Sequence, residues 1–267
     1  MNLRRRRDFQ QEGLLALSRQ GQPQFTDTWV PYTSGQIGPY YIESTAIEAN
    51  GSAYRKAINH MCELIDGTIG INGFDVISGG ETRDWDFSHP IAVVLGKPHA
   101  KLYKNGKRLG ADVKNARVLH VADLNNQGSS MRNMWKPYVD NAGGKIVHAV
   151  FYVDRCEDGV QVMEDIGIAY DSAVPFDAHA WNFLRKMNIT SEPVHTSLMA
   201  RMEDKTAWAH NALRTHIEPL EAMLQSDDPT KVAKGEKILT HGYPELKDEL
   251  LALMKERGYE HRFGGEQ

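Results

Sequence analysis

Apolar side chains recur along this chain with two different periods, and the change from one to the other divides it. Over residues 53–66 the positions Ala57, Ile58, Met61, Leu64 and Ile65 fall three and four apart, the spacing of one helix face, and Gly67 stands as a stop. Residues 1–21 read as a shorter helix striped by Phe9, Leu14, Leu15 and Leu17 and ended by Gly21-Gln22-Pro23. Turn formers at residues 33–39 then lead into Tyr40-Tyr41-Ile42. Beyond residue 73 the segments alternate in type. Residues 74–78, 99–103, 117–123 and 145–153 read as strands; 79–88 reads as a polar loop, 90–95 as a short helix, 124–130 as a loop and 131–142 as a helix. The last strand–loop–helix–strand run predicts a βαβ unit with a right-handed crossover, and 166–174 adds another apolar run to a parallel core. After Pro175 β-branched runs almost vanish. Helical patterns follow at 178–186, 197–201, 205–225, 229–239 and 244–257, with Gly264-Gly265 in a frayed tail. The pattern therefore predicts an α/β domain with a helical C-terminal appendage.

Composition narrows the class. With 267 residues, 41% of them hydrophobic and 25% charged, the chain holds enough apolar side chain for one large domain or a domain and an appendage. A formal net charge of -4 excludes a global basic field of the kind that follows a nucleic-acid backbone. Two cysteines, Cys62 and Cys156, make neither a disulfide framework nor a metal-type spacing, which favours a reducing cytoplasm. The aliphatic stretch at 92–95 is far short of the ~20 residues of a membrane span. Arg4 to Arg7 looks like a twin-arginine signal, but Gln10, Gln11 and Glu12 stand where its apolar core would begin, so it reads as a solvated helix start. The C-terminal histidines, His261 among them, show no metal spacing and read as surface or packing residues.

Candidate chemistry gathers after one strand. In a parallel sheet ligands collect beyond the carboxyl ends of the strands, and there the chain reads Ala122-Asp123-Leu124-Asn125-Asn126-Gln127-Gly128-Ser129-Ser130. A loop of small and amide residues feeding a helix offers backbone N–H groups and a positive dipole end to a phosphate, with Ser129 and Ser130 as hydroxyl donors. Asp123 is placed to accept from the vicinal hydroxyls of a ribose. On spacing alone the same residues read equally as a turn cap at Asp123 and a helix N-cap at Ser129.

Residues 117–130 resemble the phosphoribosyl-pyrophosphate (PRPP) motif of the type I phosphoribosyltransferases, a hydrophobic strand ending in two acids and a small-residue phosphate loop. More of the chain is similar to the orotate phosphoribosyltransferases in that family. Ser34-Gly35-Gln36-Ile37-Gly38-Pro39-Tyr40-Tyr41 resembles their Ser-Gly…Ser-Pro-Tyr-Phe segment near the base and PRPP, and Val153-Asp154-Arg155 resembles the Asp-Arg pair whose arginine grips the orotate carboxylate. Lys97-Pro98, Tyr103-Lys104 and Lys107 to Gly110 resemble the approach to a mobile catalytic loop. The family's order holds from about residue 30 to 175.

The resemblance implies a parallel-sheet phosphoribosyltransferase fold over 30–175, preceded by a helical segment at 1–29 and followed by a helical region at 176–267. It implies transfer of a phosphoribosyl group from Mg2+-bound PRPP to orotate or a related base, giving a nucleoside 5'-monophosphate and pyrophosphate. Lys107, Lys104 and Asp123 are the implied catalytic residues. Asp123, Asn125, Asn126, Gln127, Gly128, Ser129, Ser130, Lys104 and Arg108 would hold PRPP, and Arg155, Tyr40 and Tyr41 the base. Gly79-Gly80-Glu81-Thr82 and Arg83 would form a pyrophosphate-side loop. Mg2+ would come with PRPP, with no protein-only metal site, and the chain would work as a cytoplasmic homodimer without nucleic-acid or membrane partners.

Departures from the family pattern point the other way. Ala122 takes the first acidic position, Asn125, Asn126 and Gln127 alter the phosphate loop, Thr33 stands for a PRPP-contacting lysine, Tyr103 for an arginine and Leu109 for a histidine. Only six residues separate Gly110 from Arg117, short for a closing lid. A non-catalytic PRPP or nucleotide sensor, with the C-terminal helices binding a partner, is the competing reading. A transferase for another base, or one that works only in a complex, is the third.

Overall fold

In the computed structural model, which describes residues 1–258, the alternating segments build a six-stranded sheet. In chain order the elements are α1 (Leu3–Arg19), β1 (Gln24–Pro31), β2 (Ile37–Tyr41), α2 (Gly51–Thr68), β3 (Val76–Gly80), α3 (Asp84–Leu95), β4 (His99–Leu102), β5 (Arg108–Gly110), β6 (Arg117–Asn125) and α4 (Lys136–Asn141). They continue with β7 (Lys145–Asp154), α5 (Asp158–Asp165), β8 (Ala169–Pro175), α6 (Ala178–Lys186), α7 (Glu192–Glu203), α8 (Lys205–Thr215), α9 (Glu218–Leu224), α10 (Pro229–Lys237) and α11 (Lys247–Glu256). Gly264, Gly265 and His261 lie outside the described residues.

The sheet runs in the order β5-β4-β3-β6-β7-β8, with β3, β4, β6, β7 and β8 parallel and β5 antiparallel at its edge. The parallel α/β expectation holds. Side chains alternate across a strand, and β6 uses both faces. Val118 and Ala122 join Trp135 and Val139 in one apolar layer, whereas Asp123 meets Ser44, ahead of α2, and Asp84 on α3. Side-chain caps start several helices: Asn2 accepts from the Arg5 N–H on α1, and Asn50 accepts from Ser52 and Ala53 on α2.

The chain forms two units, at boundaries other than those the apolar periods suggest. One comprises Met1–Gln22 and Glu43–Leu184, the other Pro23–Ile42 and the described residues from Arg185 to 258. Helix α1 thus belongs with the α/β sheet, burying Phe9, Leu14 and Leu17 against it, instead of standing apart with residues 1–29. Likewise α6 stays with that unit past residue 175, its Trp181 stacked on Phe176 at 4.9 Å. Residues 23–29, expected in the N-terminal helical segment, and 30–42, expected in the α/β domain, together form the β1–β2 hairpin of the helical unit. Trp29 and Ile37 are buried there among Leu213, Ile217, Leu220 and Leu250, and the Trp29 indole N–H donates to the His216 carbonyl at 2.8 Å.

Other corrections have local causes. Strand β1 escapes the period-two pattern because Trp29 alone in it is buried. Helix α3 starts at Asp84, inside the expected polar loop; Asp84 and Asp86 favour the positive end of its dipole, and Pro90 lies within it. Strand β6 runs on through Leu124 and Asn125, which pair with Val153 and Asp154, so the phosphate-type loop shortens to 126–130. The helix expected over 205–225 breaks between α8 and α9, where Pro219 restarts it. Helix α5 has no counterpart in the sequence reading. Among the described residues no helix is long and apolar enough to cross a membrane.

Close packing in the helical unit makes a test of its core. A Cβ at Gly242 would overlap the carbonyl oxygen of Gly35, itself at φ +90. Gly242→Ala is expected to cost about 1–3 kcal/mol by overpacking, read as a lower midpoint in thermal or urea unfolding. An unchanged midpoint would show that this approach relaxes freely.

Candidate functional site

The site is built where β3 and β6 end side by side. At the end of β3, two glycines let neighbours approach closely. A Cβ at Gly79 would overlap the Ser88 hydroxyl, and one at Gly80 would overlap the Trp135 ring. The Gly80 N–H donates to Asp84 Oδ2 at 2.9 Å, and the Trp85 indole N–H donates to the Gly79 carbonyl at 2.9 Å. Glu81, Thr82 and Arg83 turn from this strand end into α3, with Arg83 paired to Glu43 at 3.2 Å.

Asp123 is almost buried at the end of β6. Ser44 Oγ donates to its Oδ2 at 2.6 Å, and its backbone N–H donates to Asp84 Oδ1 at 3.3 Å. Burial first, and the neighbouring Asp84 carboxyl second, push the Asp123 acid up to about 7; the Ser44 bond and Arg83 oppose them. Three residues earlier on β6, and so on its opposite face, His120 is buried at 1% exposure, with Nδ1 3.0 Å from Ser78 Oγ and Nε2 3.6 Å from Asp84 Oδ2. Asp84 read only as part of the solvated loop at 79–88, where with Asp86 it was a candidate to touch Mg2+, and His120 and Ser44 had no site role in the sequence reading. An imidazole inside an otherwise aliphatic strand was the signal available for His120.

The loop at 126–130 is seated on α5. Gly128 takes φ +63, where a Cβ would strike Val162, and the Asn126 carbonyl accepts from the Gly159 N–H at 2.8 Å. Ser129 and Ser130 are exposed, so their hydroxyls face solvent. Asn125, expected in the loop, instead ends β6 as a buried residue whose Nδ2 donates to Asp154 Oδ1 at 3.2 Å.

Lys104, Lys107 and Arg108 lie in a closed hairpin between β4 and β5, where the opening of a mobile loop was expected. The Tyr103 N–H donates to the Lys107 carbonyl at 2.9 Å, and Asn105-Gly106, with Gly106 at φ +83, supplies the turn. Two bonds tie that hairpin to the site: the Lys104 N–H donates to Glu81 Oε2 at 2.9 Å, and the Tyr138 hydroxyl donates to the Lys104 carbonyl at 2.8 Å. Lys107 Nζ sits 5.7 Å from the Tyr103 ring centroid.

The base-side residues belong to different units. Arg155 follows β7, with its N–H on the Asn125 carbonyl, and its buried guanidinium donates to Glu157 at 3.0 Å. A substrate carboxylate would therefore share that cation with Glu157. Tyr40 and Tyr41 belong to the β1–β2 hairpin of the other unit, where Tyr40 is buried with its carbonyl accepting from Tyr32 and Tyr41 is 41% exposed.

Asp154, between Asn125 and Arg155, is 2% exposed, and burial pushes its acid up to about 6. The folded chain then holds that proton more tightly than the unfolded one, so the associated stability is complete below pH ~4 and lost as pH rises to about 6. Asp154→Asn, which keeps the Oδ1 acceptor, is expected to stabilise the fold at pH 8 by up to about 3 kcal/mol and to be near neutral at pH 4. Melting at the two pH values reads this; an equal shift at both would contradict it.

No family model matches this chain. It is 31% identical over 166 residues to the orotate phosphoribosyltransferase of Sulfolobus acidocaldarius, covering 60% of this chain and 81% of that protein. Among solved structures, that of Leishmania donovani UMP synthase superposes with a TM-score of 0.63 at 19% identity, over 71% of this chain and 41% of that one. Orotate phosphoribosyltransferase from Aeropyrum pernix gives 0.56 at 20% identity, over 66% of this chain and 99% of that one. The structural matches concern the fold; the sequence match covers most of the Sulfolobus protein.

Proposed function

We infer the activity of this chain from one premise: it belongs to the orotate phosphoribosyltransferase family of type I phosphoribosyltransferases. It joins PRPP to orotate or a closely related base, releasing pyrophosphate and forming the nucleoside 5'-monophosphate. The observation that carries this reading is Asp123 near the end of β6, whose carboxyl accepts from Ser44 and whose backbone N–H donates to Asp84, just before a small-residue loop.

In this reading Asp123 accepts hydrogen bonds from the ribose hydroxyls, while loop 126–130 receives the 5'-phosphate. The base nitrogen attacks C1 of the ribose as the pyrophosphate leaves, so positive charge grows on the sugar and negative charge on the leaving group. Lys104 and Lys107, carried on the hairpin that Glu81 and Tyr138 anchor, face the leaving group, with Arg108 beside them. Gly79 to Arg83 line the pyrophosphate side. Arg155 meets the carboxylate of the base.

Mg2+ would come with PRPP, held mainly by substrate oxygens and water. Its chemistry there would be to offset negative charge on the leaving pyrophosphate, beside Lys104 and Lys107. Cys62 and Cys156 form no disulfide, in keeping with a reducing cytoplasm, and a homodimer is the form this reading assigns to the chain.

The test is direct. Purified chain with PRPP, Mg2+ and orotate is expected to release pyrophosphate and consume orotate in equal amounts. PRPP binding without turnover on orotate, uracil or adenine would overturn the reading in favour of a sensor.

A further inference from the structure

Outside the groups just assigned, a buried polar row runs behind Asp123. Ser78 on β3, His120 on β6 and Asp84 on α3 lie in sequence, and Asp84 reaches the backbone of Asp123. His120 Nε2 has no hydrogen-bond partner although the ring is 1% exposed, and it faces the Asp84 carboxyl at 3.6 Å. A buried imidazole nitrogen left unpaired costs free energy unless it is used. Its other nitrogen is already provided for in both protonation states: the Ser78 hydroxyl at 3.0 Å can donate to a bare Nδ1 or accept from a protonated one.

We propose that His120 is a positioning residue for PRPP binding, taking up through Asp84 the proton that Asp123 gives up when its carboxyl accepts the ribose hydroxyls. The inference rests on the assignment of Asp123 to the ribose. Before binding, the Asp84–Asp123 pair holds one proton and a single negative charge, and His120 is neutral with its proton on Nδ1 toward Ser78. Ribose hydroxyls bonding to Asp123 favour its ionised form. The carboxyl O–H then breaks, an N–H forms on His120 Nε2, the pair carries two negative charges and the imidazolium one positive charge. No proton leaves the protein.

The raised Asp123 acid places this exchange near neutral pH. The charges around the row are few. Arg83 lies at the start of α3 and is paired with Glu43, which precedes Ser44; Asp86 and His89 follow on α3. His99 on β4 is held low, to about 4, chiefly by burial and then by His89, Lys101 and His120, so it stays neutral and does not compete for the proton. Ser44 donates to Asp123 from the other side.

Proton-linked calorimetry tests the proposal. PRPP with Mg2+ is titrated into wild type and His120→Asn at pH 6.5, in buffers of different ionisation enthalpy. Comparing the two proteins cancels protons that come from PRPP itself. His120→Asn is expected to release up to about one proton more per PRPP than wild type, with the difference vanishing at pH 8.5, where the pair is already ionised. Its KM for PRPP rises more at pH 6.5 than at pH 8.5, while kcat changes less than KM. Equal proton counts in the two proteins at pH 6.5 would overturn the proposal. Absence of PRPP binding to wild type would instead remove the functional reading beneath it. If His120→Asn does not fold, Ser78→Ala carries the test: it withdraws the acceptor for Nδ1–H, and the same extra release is expected, with an unchanged count again overturning the idea.

Discussion

Asp123→Asn is expected to lower kcat/KM for PRPP by about a hundredfold. Hydrogen bonds to a charged partner contribute about 1.5–3 kcal/mol each, and the substitution removes the charge from the acceptor that two ribose hydroxyls would share. The side chain keeps its shape and its Oδ1, so the 2.6 Å bond from Ser44 has an acceptor to return to and the fold has little reason to change. Removal of the buried charge also ends the competition with Asp84, so the variant is expected to melt at or above the wild-type temperature at pH 8. Steady-state kinetics with PRPP varied, beside a melting curve, separates the two effects. A loss below about threefold in kcat/KM would take the ribose away from Asp123.

Lys107→Ala bears on the chemical step. A preorganised cation aimed at developing charge is worth about 3–4 kcal/mol in a water-excluded site, or 10²–10³-fold in kcat. In bulk water the same cation at 4 Å gives only about 1 kcal/mol. In the structure Lys107 is exposed at the hairpin turn, close to Tyr103. A loss of a hundredfold or more in kcat, with KM for PRPP little changed, would mean that the hairpin and its lysine become dry at the transition state. A loss under about tenfold would mean that the charge stays in water, and that Lys104 and Mg2+ carry the leaving group. Lys107→Arg distinguishes charge from geometry, since the planar guanidinium cannot act as a point charge.

The strand that carries Asp123 was legible because four apolar residues from Val118 to Ala122, interrupted only by His120, leave few alternatives to a buried parallel strand, and the acid marks its end. Asp84 was not legible as part of the same site. It belongs to another element, and its relation to Asp123 exists only because β3 and β6 are neighbours. The hairpin at Lys104 to Arg108 could have been seen, since Asn105-Gly106 is a strong turn signal, but strand β5 has no buried residue and leaves no apolar trace. The reverse holds for Arg155. Its place after β7 was correct from the Val153-Asp154-Arg155 run, yet its pairing with Glu157 depends on side-chain geometry that spacing does not encode. The membership of Tyr40 and Tyr41 in the helical unit was hidden for a similar reason: Trp29 and Ile37 take their partners from more than a hundred residues downstream.

That last arrangement also sets an order of events during synthesis. The hydrogen bond from Trp29 to His216 spans 187 positions, and the one from the Ile37 N–H to the Tyr243 hydroxyl spans 206. At about 5–20 residues per second, a ribosome takes roughly 10–40 s to supply the second partners after the first have emerged. Throughout that interval the hairpin waits with Trp29 and Ile37 uncovered, while the sheet between Glu43 and Leu184 can complete its own core. Such distant pairing slows folding and prolongs exposure to aggregation. The nascent chain should therefore be most dependent on chaperones after the sheet has closed, and before the last helices arrive.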